Sequence, residues 1–89
     1  MLTTSQSEKT TRDLIRAARD ERRMTLREFG AALSVSHTMV NLWETGVSEP
    51  DSARIAAWIS DDRPWVQVLG LRLFARQYHA LIRNVLVPA

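Results

Sequence analysis

The segment from Thr25 to Gly46 constrains the fold most, because it carries start and stop signals for two short helices with very little chain between them. Thr25 and Glu28 fit a capping box, in which each side chain bonds the backbone N–H of the other residue. Ser36 can cap the next helix, and Gly46 can end it because glycine readily adopts positive φ. A turn of three or four residues therefore joins the two helices.

The second of these helices has two chemically different faces. With a rotation of roughly 100° per residue, Met39, Val40 and Trp43 share one face, which we predict to be inward. Two short helices joined by a tight turn are typical of a helix-turn-helix, and the major groove of B-DNA admits one α-helix. We therefore interpret the opposite face as a DNA-reading surface, with hydrogen bonds to bases or phosphates and an apolar contact to thymine methyls. It comprises His37, Thr38, Asn41 and Leu42.

The rest of the sequence predicts an all-α fold. Leu14, Ile15 and Ala18 recur at helical spacing in a first helix at about 11–23, and a fourth helix covers about 51–59. One long helix follows from Trp65 to about Leu86, although a strand or a break near Gly70 is an open alternative. The length suits one compact domain with tails. We expect a flexible arm at 1–10, a helix-turn-helix domain at 11–60 and a C-terminal helix at 61–89.

Composition and charge narrow the classes of function. The absence of cysteine removes disulfides and thiolate metal sites, and His37 and His79 are too far apart to suggest a local metal pair. Asp61 and Asp62 suit a helix start, so we predict no catalysis, no metal and no cofactor. No signal peptide and no apolar run of about eighteen residues is present, which predicts a cytoplasmic protein without a membrane partner. Six arginines crowd residues 12 to 27 and permit a polyanionic partner.

From Leu14 to Ile59 the chain resembles the phage repressor and Cro-like helix-turn-helix family, also called the XRE family. The matching elements are "IRAARDERRMTLREFGAAL", "VSHTMVNLWETG" and Pro50. The resemblance implies a lambda-repressor-like DNA-binding domain of four to five helices, extended here by the long C-terminal helix. It also implies a sequence-specific regulator of transcription, most simply a repressor that binds a palindromic operator in double-stranded DNA as a homodimer.

The resemblance also implies roles for individual residues. Base reading falls to His37, Thr38 and Leu42, with Asn41 nearby, and Arg19 forms a structural ion pair with Glu44. Phosphate contacts fall to Thr25, Arg27, Ser36 and Ser48. The chain departs from the family at Leu26, at Gly30, at Ser34, where the turn usually has glycine, and in the loop 47–49, which lacks the usual lysine or arginine.

The C-terminal helix carries more apolar residues than a core of short helices is expected to cover. Apolar surface of that extent usually binds a partner, and a two-fold dimer suits this motif. We therefore predict a dimer interface that contains Phe74, Tyr78, Leu81, Ile82 and Val85. Two alternatives remain: an antitoxin or other interaction module whose last helix binds a different protein, such as a toxin, and a helix that binds a membrane surface.

Overall fold

The computed structural model describes residues 9–86, and the side chains of residues 9–82. These residues form five α-helices and no strand, which confirms the all-α prediction. The long last helix continues through Gly70, so the alternative of a strand or break there is wrong. Most of the expected arm, residues 1–8, and the side chain of Val85 lie outside the described residues. The helices are α1 (Thr11–Arg22), α2 (Leu26–Leu33), α3 (His37–Glu44), α4 (Ser52–Ile59) and α5 (Pro64–Leu86).

The chain divides into two compact units, and the division falls between Glu49 and Pro50. The boundary near residue 60 that the sequence suggested remains a prediction. Within the second unit, α4 packs closely on α5. A Cβ atom added at Gly70 would lie 2.9 Å from the backbone nitrogen of Ile59 and 3.1 Å from the Cβ of Trp58. Glycine therefore lets α5 approach the end of α4, and α4 belongs with α5.

The first unit contains α1, α2 and α3 around one apolar core. Its buried side chains come from all three helices, and they are Ile15, Phe29, Leu33, Val40 and Trp43. Thr10, which the sequence placed in the arm, is the N-cap of α1: its hydroxyl accepts from the N–H of Asp13, and the Asp13 carboxylate accepts from the N–H of Thr10. Thr25 and Glu28 form the predicted capping box at α2.

The turn between α2 and α3 depends on two unusual residues. Ser34 adopts a left-handed conformation with φ of 62°, in the place where a glycine is more usual. The N–H of Val35 then donates to the carbonyl of Gly30 at 2.8 Å. A Cβ atom at Gly30 would lie only 2.7 Å from the carbonyl oxygen of Val35. The missing side chain at Gly30 therefore allows the turn to close against α2.

The second unit contains α4 and α5, whose buried apolar side chains are Ile55, Trp58, Val66, Leu69 and Leu73. Asp51 caps α4 by accepting from the N–H of Arg54 at 2.8 Å. Before α5, the Arg63 guanidinium donates to both carboxylate oxygens of Asp61 and holds the pKa of that carboxyl well below its usual range. The Arg63 guanidinium also lies 5.8 Å from the ring centroid of Trp65. These contacts fix the chain where α5 begins.

We predict that Gly30→Ala destabilises the chain by roughly 1 to 3 kcal/mol, because the new methyl group overlaps the Val35 carbonyl. In an open helical site the same change would stabilise by about 1 kcal/mol. Urea unfolding followed by circular dichroism measures the difference. Ala31→Gly, at the exposed neighbouring position, is the control for helix propensity. A gain in stability for Gly30→Ala would show that the turn is not closely packed there.

Candidate nucleic-acid interface

One side of helix α3 is buried against its neighbours, and the other side is exposed to solvent. Val40 and Trp43 are buried, and α3 packs against both α1 and α2. The four predicted base-reading residues lie on the other side: Thr38 and Asn41 are exposed, and His37 and Leu42 are partly exposed. The side chains that could read DNA are thus brought together on one solvent-facing surface.

A bidentate ion pair holds the end of α3 against α1. The Nε of Arg19 donates to one oxygen of Glu44 at 2.6 Å, and its Nη2 donates to the other at 2.9 Å. The Glu44 side chain is only 3% exposed. Hydrogen bonding to Glu44 raises the pKa of Arg19 above its ordinary value, although burial acts in the opposite direction. The structure thus contains the ion pair that the resemblance implied, and it fixes the position of α3.

Sequence reasoning missed two further contacts of this ion pair. The Nη1 of Arg19 donates to the carbonyl of Met24 at 3.1 Å, which ties the link between α1 and α2 to the same centre. The Nε of Arg16 lies 3.5 Å from a Glu44 oxygen. The spacing of Arg16 and Arg19 was a usable signal, since residues three apart lie on one helix face. The hydrogen bond from Arg19 to the Met24 carbonyl could not be predicted from the sequence in this way.

The start of α2 presents one unpaired cation next to a helix cap. The Thr25 hydroxyl accepts from the N–H of Glu28 at 3.1 Å, while the N–H of Thr25 donates to the Glu28 carboxylate at 2.8 Å. Thr25 can therefore still donate its hydroxyl proton to a phosphate. Arg27 is exposed, and in the described part of the chain no carboxylate lies within 4.0 Å of its guanidinium.

The cap of α3 is arranged similarly. The Ser36 hydroxyl accepts from the N–H of Met39 at 3.1 Å, and its own proton remains able to donate. Ser36 is exposed. A phosphate at this point would meet a hydroxyl at the amino end of a helix, where the helix dipole favours negative charge.

The loop after α3 turns its donors inward. Gly46 has φ of 80°, and the N–H groups of Gly46, Val47 and Ser48 all donate to carbonyls of α3, at Trp43 and Leu42. The Ser48 hydroxyl oxygen is closed to solvent and has no hydrogen-bond partner among the described residues. A phosphate could reach it only after the side chain rotates. The structure therefore does not present Ser48 as the phosphate donor that the resemblance implied.

The predicted dimer residues belong to the second unit. Phe74, Tyr78 and Leu81 are 50%, 54% and 59% exposed, and Ile82 is partly exposed. The rings of Phe74 and Tyr78 stack with centroids 5.9 Å apart and planes at 15°. Leu71, which the predicted interface omitted, is also 51% exposed. These residues form an apolar surface on α5 that the described residues do not bury.

Comparison with known proteins settles the family. A helix-turn-helix family model matches residues 15–60, which is more than half of the chain. The chain belongs to the XRE helix-turn-helix family. The match confirms the predicted lambda-repressor-like fold and makes the chain a DNA-binding regulator of the XRE type. No curated protein and no solved structure matched in the corresponding searches.

Two further observations on this XRE-family chain concern metal ions and membranes. Among residues 9–86, no group of three or more His, Cys, Asp or Glu side chains could hold a metal ion. No helix in the same range is long and apolar enough to cross a membrane.

We predict that Glu44→Ala lowers the free energy of unfolding by about 2 to 4 kcal/mol, because it leaves the Arg19 guanidinium without its buried partner. Thermal unfolding followed by circular dichroism measures the change, and DNA affinity should recover at lower temperature. Arg16→Ala is the matched control: this arginine meets the same carboxylate but is 60% exposed, so its loss should cost less than about 1 kcal/mol. If the Glu44→Ala midpoint holds while affinity collapses, Glu44 orients a DNA-reading group instead.

Proposed function

We propose that this XRE-family regulator is a sequence-specific transcriptional repressor that binds a palindromic operator as a homodimer, with α3 in the major groove. The observation that carries the proposal is the exposed face of α3, whose opposite face is fixed in the core by Val40 and Trp43. A reading helix must be both rigidly held and open on one side. The α3 helix meets both requirements.

Base recognition is assigned to the exposed face. Asn41 has an amide that can bond both N6 and N7 of adenine, and Leu42 can lie against a thymine methyl. His37 and Thr38 lie in the first turn of α3 and offer hydrogen-bonding groups beside them. Each of the four residues thus supports a contact that distinguishes one base pair from another.

Phosphate contacts are assigned to the helix starts. Arg27 supplies a charged fork, and the hydroxyls of Thr25 and Ser36 supply neutral donors. Phosphate contacts position a protein on DNA without reading its sequence. Ser48 joins this set only if its hydroxyl rotates out of the protein.

Dimerisation is assigned to the apolar stripe of α5. Leu71, Phe74, Tyr78 and Leu81 recur at alternating intervals of three and four residues, the spacing at which two helices pack with a small crossing angle. Val85 continues the same spacing, although its side chain lies outside the described residues. A two-fold dimer can place two α3 helices about 34 Å apart, so that they meet successive major grooves on one side of the duplex.

The exposed apolar stripe of α5 also suits one other function. An antitoxin would use α5 to bind a different protein, and the exposure of Phe74, Tyr78 and Leu81 suits either occupant. Sedimentation of the purified chain separates the two. A stable dimer without any other protein supports the repressor, whereas a monomer that becomes stable only with a partner supports the antitoxin.

Selection of binding sites from random DNA tests the whole proposal, because a sequence-specific regulator should enrich one palindromic site. On that site, we predict that His37→Ala or Thr38→Ala weakens binding by about 1 to 3 kcal/mol, with little effect on random DNA. Arg27→Ala is the contrasting variant, since loss of a phosphate contact should weaken binding to all sequences. Equal losses on selected and random DNA for the α3 variants would remove them from the base-reading set.

We predict that the double variant Phe74→Glu with Leu81→Glu is folded but mostly monomeric at micromolar concentration. Neither side chain belongs to the buried core of the second unit. Operator affinity should fall steeply, because each monomer holds only one half-site. Analytical ultracentrifugation and circular dichroism measure the two properties.

The control for this experiment is Arg72→Glu with His79→Glu, which adds two acids to α5 at the same spacing but outside the stripe. It should remain dimeric. A Phe74 and Leu81 variant that stays dimeric contradicts the proposed interface, and one that unfolds shows that these residues stabilise the monomer.

A further inference from the structure

The loop after α3 carries no cationic side chain, and most of its backbone donors are bonded within the protein. Its three backbone N–H groups at 46–48 are bonded to α3, and the Ser48 hydroxyl is closed to solvent. The remaining residues before Pro50 add no positive charge, since Val47 is apolar and Glu49 is acidic. A phosphate that approaches this loop would therefore need a cation from another element.

Arg12, in the first turn of α1, lies at that position. Its Cδ and Nη1 atoms are each 3.7 Å from the point that a Cβ atom of Gly46 would occupy. This is an ordinary van der Waals distance, so the Arg12 side chain lies directly against the loop at Gly46. The loop is also tied to α1, because the buried Thr11 hydroxyl donates to the Glu49 carboxylate at 3.1 Å. Two neighbouring residues of α1 thus contact the two ends of the loop.

The guanidinium of Arg12 is available to an anion. Arg12 is exposed, and no carboxylate of the described residues lies within 4.0 Å of its guanidinium. The adjacent Asp13 carboxylate is engaged by the N–H and hydroxyl of Thr10 at 3.1 and 2.8 Å. Thr11 bonds Glu49. The Asp13 and Glu49 carboxylates thus accept hydrogen bonds from donors other than Arg12.

The position of Arg12 is unfavourable for the isolated helix. A cation in the first turn faces the positive end of the helix dipole, where an acid such as Asp13 is preferred. Apart from a Coulomb attraction to the neighbouring Asp13 carboxylate, Arg12 contributes nothing evident to α1 itself. An anion placed between Arg12 and the loop would offset that repulsion, and a guanidinium fork fits two oxygens of a phosphate.

We propose that Arg12 binds a DNA backbone phosphate beside the loop 45–49 and supplies from α1 the cation that the loop lacks. The proposal rests on the proposed function and adds a positioning contact to it. Arg12 fixes how deeply α3 enters the groove at its carboxyl end, while Arg27 and Ser36 act at the amino ends of α2 and α3.

The test is the salt dependence of binding to a random-sequence duplex of about three helical turns. Each phosphate contact contributes roughly 0.9 to the slope of log affinity against log salt concentration. Arg12→Gln removes one such contact from each subunit of the proposed dimer, so it should lower the slope by about 1.8, while the thermal midpoint stays unchanged. Arg72→Gln removes one exposed positive charge from α5 and should leave the slope unchanged. Arg12→Lys should retain most of the slope, because it keeps the charge.

A second measurement uses the operator obtained by selection. Single phosphates are replaced by neutral methylphosphonates, and one replacement should weaken the wild-type chain but not Arg12→Gln. An unchanged slope for Arg12→Gln, or an equal drop for Arg72→Gln, overturns the Arg12 contact and leaves the proposed function intact. A wild-type chain that binds neither random nor selected DNA overturns the proposed function itself.

Discussion

The buried ion pair between Arg19 and Glu44 is the interaction on which the first unit depends. A carboxylate that is nearly closed to solvent is costly unless its charge is matched and its oxygens are bonded. Both oxygens accept from the Arg19 fork, and Arg16 adds a second positive charge from the solvent side. Because this arrangement tolerates little displacement, it fixes the end of α3 relative to α1. Apolar packing alone would fix that position less specifically.

The start of α3 is fixed by different means. Gly30 lets the turn approach α2, and Ser34 accepts a left-handed backbone so that the turn can close. The helix is thus held at one end by backbone contact and at the other by a charged fork, with Val40 and Trp43 buried between them. What remains is a single exposed face. The rigidity of that face is the physical basis for proposing that it reads bases.

Features set by neighbouring residues could be predicted from the sequence. The capping box at Thr25, the cap at Ser36 and the positive φ at Gly46 each depend on a few adjacent residues, and the structure contains all three. The close approach of α5 to α4 at Gly70 could not be predicted, because it depends on contacts between separate helices. The inward-turned loop donors and the position of Arg12 were also missed, since both depend on contacts between distant segments.

Helix α5 shows how one element can serve its own unit and still leave a surface for a partner. Val66, Leu69 and Leu73 face the core, and the exposed stripe from Leu71 to Leu81 lies on a different side of the helix. Arg72, Arg76 and His79 share a third side at a rotation of about 100° per residue, nearer to the buried face than to the stripe. No acid occurs in α5, so two copies would repel if the arginines on this side faced each other. If the stripes met in the proposed dimer, the arginines would lie away from the contact, and the dimer would retain positive charge that attracts DNA.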